Sequence, residues 1–120
     1  MKRNVVLEKS LNFSVRIVEL SRYLRKKKVE IILINQILRS GTSVSANVHE
    51  ATAAISKKEF YSKLSIALKE AKETGFWLFL LMKTNTLTEK EFNSIYQDCM
   101  ELEKILFSIL KTIREGRENE

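Results

Sequence analysis

The sequence has no proline, three glycines, one cysteine and one histidine among its 120 residues. Without proline and with so little glycine, the chain lacks the residues that most often break helices and form the turns between strands. The single cysteine, Cys99, excludes an internal disulfide and is typical of a reducing compartment. The composition therefore favours a few long helices over many short strands. We expect Cys99 to be a buried apolar side chain rather than a reactive thiol.

Long apolar segments are also scarce. The longest, FWLFLLM at residues 76–82, is far shorter than the roughly 20 residues that span a bilayer. Near the N-terminus, Glu8, Lys9 and Asn12 interrupt the apolar core that a signal peptide would need. We therefore expect one domain over residues 1–120, in a soluble protein of the cytoplasm.

Apolar residues recur at helical spacing in four segments, at about residues 3–25, 29–53, 56–83 and 88–116. The connections between these segments are short, and short connections between long amphipathic helices place consecutive helices antiparallel. The sequence therefore predicts an all-α fold, an antiparallel up-down-up-down four-helix bundle.

Two of these segments begin with a helix-start signal, because Ser56 with Glu59 and Thr88 with Glu91 have the spacing of a capping box. Each segment also predicts a buried stripe. The four stripes, in chain order, are Val6, Leu11, Val15, Val18, Tyr23 and Leu24; Ile34, Ile37, Gly41, Val44, Val48 and Ala51; Phe60, Leu64, Ala67, Ala71, Thr74, Leu78 and Leu81; and Phe92, Ile95, Cys99, Leu102, Leu106, Ile109 and Ile113.

The second predicted helix contains an unusual row of small polar residues, in LRSGTSVSANVHEA at residues 38–51. Gly41 lies on its apolar seam, where glycine costs roughly 1 kcal/mol relative to alanine. We interpret the segment as a tight, polar-lined helix contact, in which Arg39 pairs with Glu70 or Glu73. Loss of Arg39 is expected to cost roughly 3–5 kcal/mol if this pair is fully buried. The predicted structural network comprises Arg39, Ser40, Ser43, Asn47, Glu50, Glu70 and Glu73.

The third predicted helix has more apolar side chains than a bundle core can cover. If Leu78 and Leu81 face the core, Trp77 and Phe79 need another partner. Large exposed apolar patches are uncommon on soluble monomers. We therefore expect a homo-oligomer with Trp77 and Phe79 in or near the interface.

Positive charge is concentrated in the first half of the chain. Residues 1–58 contain 12 Lys/Arg and 4 Asp/Glu, whereas residues 59–120 contain 9 and 11. Such asymmetry suggests a cationic face for nucleic acid, anionic lipid or an acidic partner, although a solvated surface without a partner is also consistent with it. The candidate nucleic-acid-binding residues cluster around the first two turns, with Arg16 extending the first cluster and Tyr23 available for base stacking. They are Arg22, Arg25, Lys26, Lys27, Lys28, Lys57 and Lys58.

No pattern in the sequence indicates catalysis. A di-iron bundle needs Glu-x-x-His pairs, and the single histidine, His49, has no glutamate three residues before it. Glu50, Glu70 and Glu73 are a conceivable metal trio, but pairing with Arg39 or a lysine is the better interpretation. Gly-x-Ser-x-Gly and phosphate-binding glycine motifs are absent. We therefore expect no enzymatic activity, no metal and no cofactor.

The segment at residues 38–51, followed by SKKEFYSKLSIALKEAKETGFWLFLL, closely resembles the small four-helix-bundle proteins encoded within intervening sequences of bacterial 23S rRNA genes, the S23 ribosomal protein family. The resemblance extends to FSVRIVELSRYL in the first helix. The sequence departs from the family pattern at Ser45, His49 and Gly75. The matching motif positions are Arg39, Ser40, Ser43, Asn47, Glu50, Lys69, Glu70, Ala71 and Glu73.

This resemblance implies a bacterial bundle protein that assembles into a ring-shaped homopentamer with no established enzymatic activity. The accessory protein of diversity-generating retroelements, which is associated with nucleic acid and a reverse transcriptase, looks similar as well. RNA binding is therefore the leading functional hypothesis. The alternative is a protein-interaction or scaffold module that binds no nucleic acid.

Overall fold

The computed structural model describes residues 4–116, which form an all-α four-helix bundle. The helices are α1 (Val5–Lys26), α2 (Ile31–Ala51), α3 (Lys57–Lys83) and α4 (Glu89–Arg114). The predicted fold class is therefore confirmed, with helix ends that differ from the predicted ones by at most two residues.

Each helix packs against two others. Helix α1 contacts α2 and α4, and α3 also contacts α2 and α4, whereas the diagonal pairs make no close backbone contact within residues 4–116. Consecutive helices are antiparallel, so the α1–α2 and α3–α4 turns lie at the same end of the bundle. A hydrogen bond from Lys27 Nζ to the Thr86 carbonyl oxygen, 3.1 Å long, joins these two turns. The α2–α3 turn lies at the opposite end of a body that measures 48 × 24 × 22 Å.

The predicted caps are present, with one difference in geometry. Thr88 and Glu91 form a complete capping box, each side chain accepting from the other residue's backbone N–H. Ser56 accepts from the Glu59 N–H, but Glu59 accepts from the Ile55 N–H instead of from Ser56. The capping box at Ser56 is therefore only half formed.

The predicted stripes of α2 and α3 are confirmed, apart from a partly exposed Phe60. In α4 the stripe is confirmed as far as Leu106, after which Leu110 is buried and the predicted Ile109 and Ile113 are only partly so.

The predicted stripe of α1 is wrong in its centre. Leu11 is 57% exposed and Val15 and Tyr23 are exposed as well, whereas Phe13 and Ile17 are buried. The buried face of α1 also includes three serines, namely Ser10, Ser14 and Ser21. A prediction based on the large aliphatic residues could not find this face, because three of its seven buried residues are small and polar.

The serines are compatible with burial because their hydroxyl groups are hydrogen-bonded. Ser10 donates to the Leu7 carbonyl and Ser21 to the Ile17 carbonyl. Ser14 donates to the Gly41 carbonyl oxygen at 2.9 Å and lies 2.6 Å from the Ser45 hydroxyl. The α1–α2 contact is therefore close and polar at its centre.

Gly41 is required by this close approach. A Cβ atom at residue 41 would lie 2.7 Å from both Cγ1 and Cγ2 of Ile17. Ile17 is fully buried and its Cγ atoms are attached next to its backbone, so they have little room to move. The tight helix contact predicted for Gly41 is thus the contact with α1.

No helix among residues 4–116 has the length and apolar character needed to cross a bilayer.

Candidate nucleic-acid interface

The α1–α2 and α3–α4 turns together form a cationic end, which we define as residues 22–30 and 83–91. It contains seven Lys/Arg and three Glu. All seven cations are exposed: Arg22, Arg25, Lys26, Lys27, Lys28, Lys83 and Lys90. Lys83 and Lys90 were not among the predicted binding residues. The up-down topology that places their turn beside the first one was nevertheless predictable from the sequence.

Both turns of the cationic end have the same backbone conformation directly after the helix. The residues after the helix C-caps, Lys28 and Asn85, have φ angles of +60° and +59°. At the end of α1, the N–H groups of Lys28 and Val29 donate to the Arg25 and Leu24 carbonyls, the two bonds of a Schellman motif. Asparagine tolerates this left-handed conformation, but a lysine there costs about 1 kcal/mol relative to glycine. Lys28 therefore occupies a position that local backbone energetics would give to glycine.

Lys27 and Tyr23 are held by the fold. The Lys27 ammonium lies 5.1 Å from the centre of the Tyr23 ring, in addition to its bond to Thr86. The Tyr23 hydroxyl donates to Glu91 at 2.7 Å. The Thr88 backbone N–H and then this hydroxyl lower the pKa of Glu91, so the carboxylate stays charged. Tyr23 is thus fixed against α4, which does not fit its predicted role as a free stacking platform.

The remaining cations of α1 differ in their availability. Arg16 pairs with Asp98 at 2.8 Å and donates to the Ser94 carbonyl and hydroxyl, so it faces α4 and does not extend the cationic end. Within residues 4–116, Arg22, Arg25, Lys26 and Lys28 make no ion pair, so their charges are available to a ligand.

The second predicted cluster lies elsewhere. Lys57 and Lys58 are exposed at the start of α3, at the opposite end of the 48 Å long bundle. The structure therefore separates the two predicted clusters, as expected for consecutive turns of an up-down bundle.

The structure brings Arg39 together with the carboxylates of α3. Arg39 lies 3.4 Å from Glu70, forms an ion pair with Glu73 and donates to Gln36 at 3.3 Å. The Trp77 indole N–H donates to the same Glu73 carboxylate at 3.1 Å. This is the cross-helix pairing expected from the sequence, within a single chain.

The Arg39 pair is less buried than the predicted cost assumed. The Arg39 side chain is 50% exposed and that of Glu73 is 31% exposed. A half-exposed pair is screened by solvent and stabilises by about 1 kcal/mol. The condition of full burial, on which the figure of roughly 3–5 kcal/mol depended, is therefore not met.

The other predicted members of the network are dispersed. Ser40 is buried and accepts from Thr74, a partner on α3 that was not predicted to belong to the network. Asn47 donates to the Ser43 carbonyl of its own helix, and Glu50 pairs with Lys63 at 2.7 Å. Ser43, Asn47 and Glu50 therefore do not join Arg39, and the expectation that Asn47 and Glu50 would do so was wrong.

The exposed apolar surface of α3 and α4 extends beyond the two predicted interface residues, Trp77 and Phe79. Trp77 is half-buried and held by Glu73, whereas Phe79 is exposed and lies edge-on to Phe92, with 6.3 Å between ring centres. Two shallow grooves between the helices share Lys72, Met100 and Glu103 as walls, so they form one continuous strip. We call this strip the aromatic face; its apolar members are Phe76, Phe79, Tyr96, Met100 and Phe107.

The sequence model of the 23S rRNA-intervening sequence protein family matches residues 2–108. The chain belongs to this family. It is also similar to a crystal structure of a protein with unknown function from the S23 ribosomal protein family of Bacteroides thetaiotaomicron VPI-5482. The two are 50% identical, with a TM-score of 0.87, over 89% of this chain and 99% of that one. No curated protein matches the chain.

In this member of the 23S rRNA-intervening sequence protein family, Cys99 is buried in the core, and Glu50, Glu70 and Glu73 form ion pairs. Burial, and then the negative charge of Glu103, raise the pKa of the Cys99 thiol to about 12. Its sulfur donates to the Ala71 carbonyl at 3.2 Å, so Cys99 is the buried apolar side chain that was expected. Among residues 4–116, no three His, Cys, Asp or Glu side chains are grouped so that they could hold a metal ion. Glu70 and Glu73 face Arg39, while Glu50 faces Lys63.

Proposed function

We propose that this chain is a non-enzymatic bundle protein of the cytoplasm that assembles into a homopentameric ring and binds nucleic acid, RNA in preference to DNA, through its cationic end. The observation that carries the proposal is the cluster of exposed cations that make no ion pair within residues 4–116, on two adjoining turns. Arg22, Arg25, Lys26 and Lys28 lie on the first of these turns and Lys90 lies on the second.

Phosphate contact is the interaction that such a surface supports. Among the described residues of the cationic end, no aromatic ring is free to stack on a base, since Tyr23 is bonded to Glu91. Affinity therefore comes from backbone phosphates, with little sequence preference. In a ring, each subunit would present the same end on one rim. Once one subunit has bound, the ring holds the other binding sites at a high effective concentration near the same nucleic acid. The single weak contacts then add up.

The ring itself is supported by the exposed aromatic face and by the family resemblance, from which the number five is taken. We expect sedimentation equilibrium at micromolar concentration to give about 70 kDa, five times the chain mass of 14.0 kDa. A mass of 14 kDa would contradict self-association, whereas 28 kDa would contradict only the number of subunits.

Nucleic-acid binding is tested by titrating labelled single-stranded RNA, and DNA of the same sequence, at several salt concentrations. The Lys26→Glu/Lys28→Glu variant should bind at least about tenfold more weakly than the wild type. A plot of the logarithm of its binding constant against the logarithm of the salt concentration should also be less steep. The slope should change by about 0.7 for each phosphate that the variant no longer neutralises. Lys27 is left unchanged because it holds the two turns together.

A matched control is available at the other end of the bundle. Lys57→Glu/Lys58→Glu changes the net charge by the same amount and should leave most of the affinity. Equal weakening by both double variants would mean that the cationic end is not the binding site. Unchanged binding by Lys26→Glu/Lys28→Glu would lead to the same conclusion.

The alternative function is a scaffold that binds proteins only, and the exposed aromatic face is the observation that favours it. In that case the wild type would self-associate and yet bind neither RNA nor DNA at low salt. The same titration therefore distinguishes the two functions.

A further inference from the structure

A second apolar surface lies on α1 and α2. Leu11, Val15 and Val18 follow one side of α1, and Leu11 and Val15 are among its most exposed residues. They flank Ser14, which contacts Ser45 of α2. Thr42 and Ala46 are the corresponding residues around Ser45, and both are partly or fully exposed. We define the aliphatic face as Leu11, Val15, Val18, Thr42 and Ala46.

The aliphatic and aromatic faces lie on opposite sides of the bundle. One belongs to the α1–α2 pair and the other to the α3–α4 pair, and α1 and α3 make no close backbone contact within residues 4–116. Two different surfaces on opposite sides of one subunit are what a head-to-tail contact requires. A two-fold contact would instead use one surface twice.

The two faces are complementary in shape. The aromatic face presents large rings, including Phe76 at 55% and Phe107 at 52% exposure. The α2 part of the aliphatic face has only small side chains, which leave room for such rings.

From this arrangement we infer that the aromatic face of one copy packs against the aliphatic face of the next copy. The inference deepens the proposed function, on whose ring it rests, by naming the two surfaces that meet. A side of the bundle measuring about 48 × 22 Å is large enough for the roughly 800 Å² per partner that a standard interface buries. The contact is heterologous, so every subunit uses both faces and the cationic ends all point to one rim.

The test uses two variants, each defective in one face. Phe76→Lys/Phe107→Lys alters the aromatic face, and Leu11→Lys/Val15→Lys alters the aliphatic face. All four side chains are about half exposed, so we expect both variants to keep the helical content of the wild type. Lysine is used in both so that the two altered faces also repel each other.

Native mass spectrometry and sedimentation equilibrium give the outcome. Each variant alone should be a 14 kDa monomer, and an equimolar mixture should form a 28 kDa species containing one chain of each. This species cannot grow, because its two outward faces are both altered. The single variants Phe76→Lys and Val15→Lys repeat the mixing test with less disturbance of the bundle. The control Ile32→Lys/Ile55→Lys changes two exposed residues outside both faces and should keep the wild-type mass.

Three results would overturn the inference: a mixture that remains monomeric, an aliphatic-face variant that keeps the wild-type mass, or a control that dissociates. The first two would leave the ring intact as a proposal, with its contact elsewhere. A wild-type protein that is itself monomeric would overturn both the ring and this inference.

Discussion

Replacing Gly41 by alanine should lower the free energy of unfolding by about 1–2 kcal/mol, although alanine is the better helix former. The gain in helix propensity is about 1 kcal/mol. The new methyl group, however, would lie 2.7 Å from two carbon atoms of Ile17, and overpacking of this kind typically costs about 1–3 kcal/mol. We expect the packing cost to be larger, since Ile17 is completely buried. Urea denaturation at one fixed protein concentration measures the difference.

The other buried helical glycine is a matched control. A Cβ atom at Gly75 would lie 3.5 Å from Tyr96 and 3.6 Å from Cys99, which are ordinary contact distances. Gly75→Ala should therefore raise the free energy of unfolding by about 0.5–1 kcal/mol, because only the propensity term remains. If both alanine variants were stabilised, the close α1–α2 approach would not be the reason for a glycine at residue 41.

A double-mutant cycle locates the clash. Ile17→Ala alone should cost about 2–5 kcal/mol through the cavity that it leaves. Combined with Gly41→Ala, the new methyl group partly fills that cavity. The double variant should consequently be less destabilised than the two single costs added together, by about 1 kcal/mol. Simple additivity would show that the strain does not come from Ile17.

The helices that were predicted well are those with a conventional apolar stripe. In α2 and α3 the apolar residues recur at helical spacing, and these same residues are the buried ones. In α1 the pattern misled, because its aliphatic residues Leu11 and Val15 face outward while Ser14 faces α2. The expected oligomer interface was assigned to α3, so Leu11 and Val15 of α1 were both placed in the core.

The candidate site was predictable to the extent that it depends on spacing along the chain. The cations at the first turn and the approach of Arg39 to Glu70 and Glu73 follow from helix registration. The partners of Asn47 and Glu50 do not, because each has a competing bond nearby. Asn47 reaches the backbone of its own helix, and Glu50 meets Lys63 as the two helices converge on their turn.

The sides of the bundle and its cationic end therefore suit different proposed roles. Small residues at the α1–α2 contact, such as Ser14 and Gly41, fill the interior, and this leaves aliphatic side chains on the outside of α1. Seven exposed Lys and Arg side chains lie at the cationic end. The proposed assembly through the sides and the proposed phosphate binding through one end would therefore not compete for the same residues.

A buried hydrogen bond between α2 and α3 leads to the second large expected effect. Thr74 donates to the Ser40 hydroxyl oxygen at 2.9 Å, and both residues have no solvent exposure. Valine has nearly the shape of threonine, so Thr74→Val leaves no cavity and removes only the hydroxyl group. Ser40 would then retain just a 3.5 Å contact to the Ile37 carbonyl. We expect a loss of about 1–3 kcal/mol in urea denaturation, the usual cost of a buried polar group without a good partner.

The double variant Ser40→Ala/Thr74→Val decides whether the loss comes from the unpaired hydroxyl. Because it removes both partners, it should be destabilised by less than Thr74→Val alone, even though it has lost one more polar group. Ser65→Ala is the control on the same helix, since Ser65 bonds only to the Tyr61 carbonyl one turn earlier. We expect it to change stability by no more than about 0.5 kcal/mol. The Thr74 hydroxyl also lies 2.8 Å from the Glu70 carbonyl oxygen of its own helix. A double variant worse than either single one would instead show that each hydroxyl group stabilises the fold independently, Thr74 through Glu70 and Ser40 through Ile37.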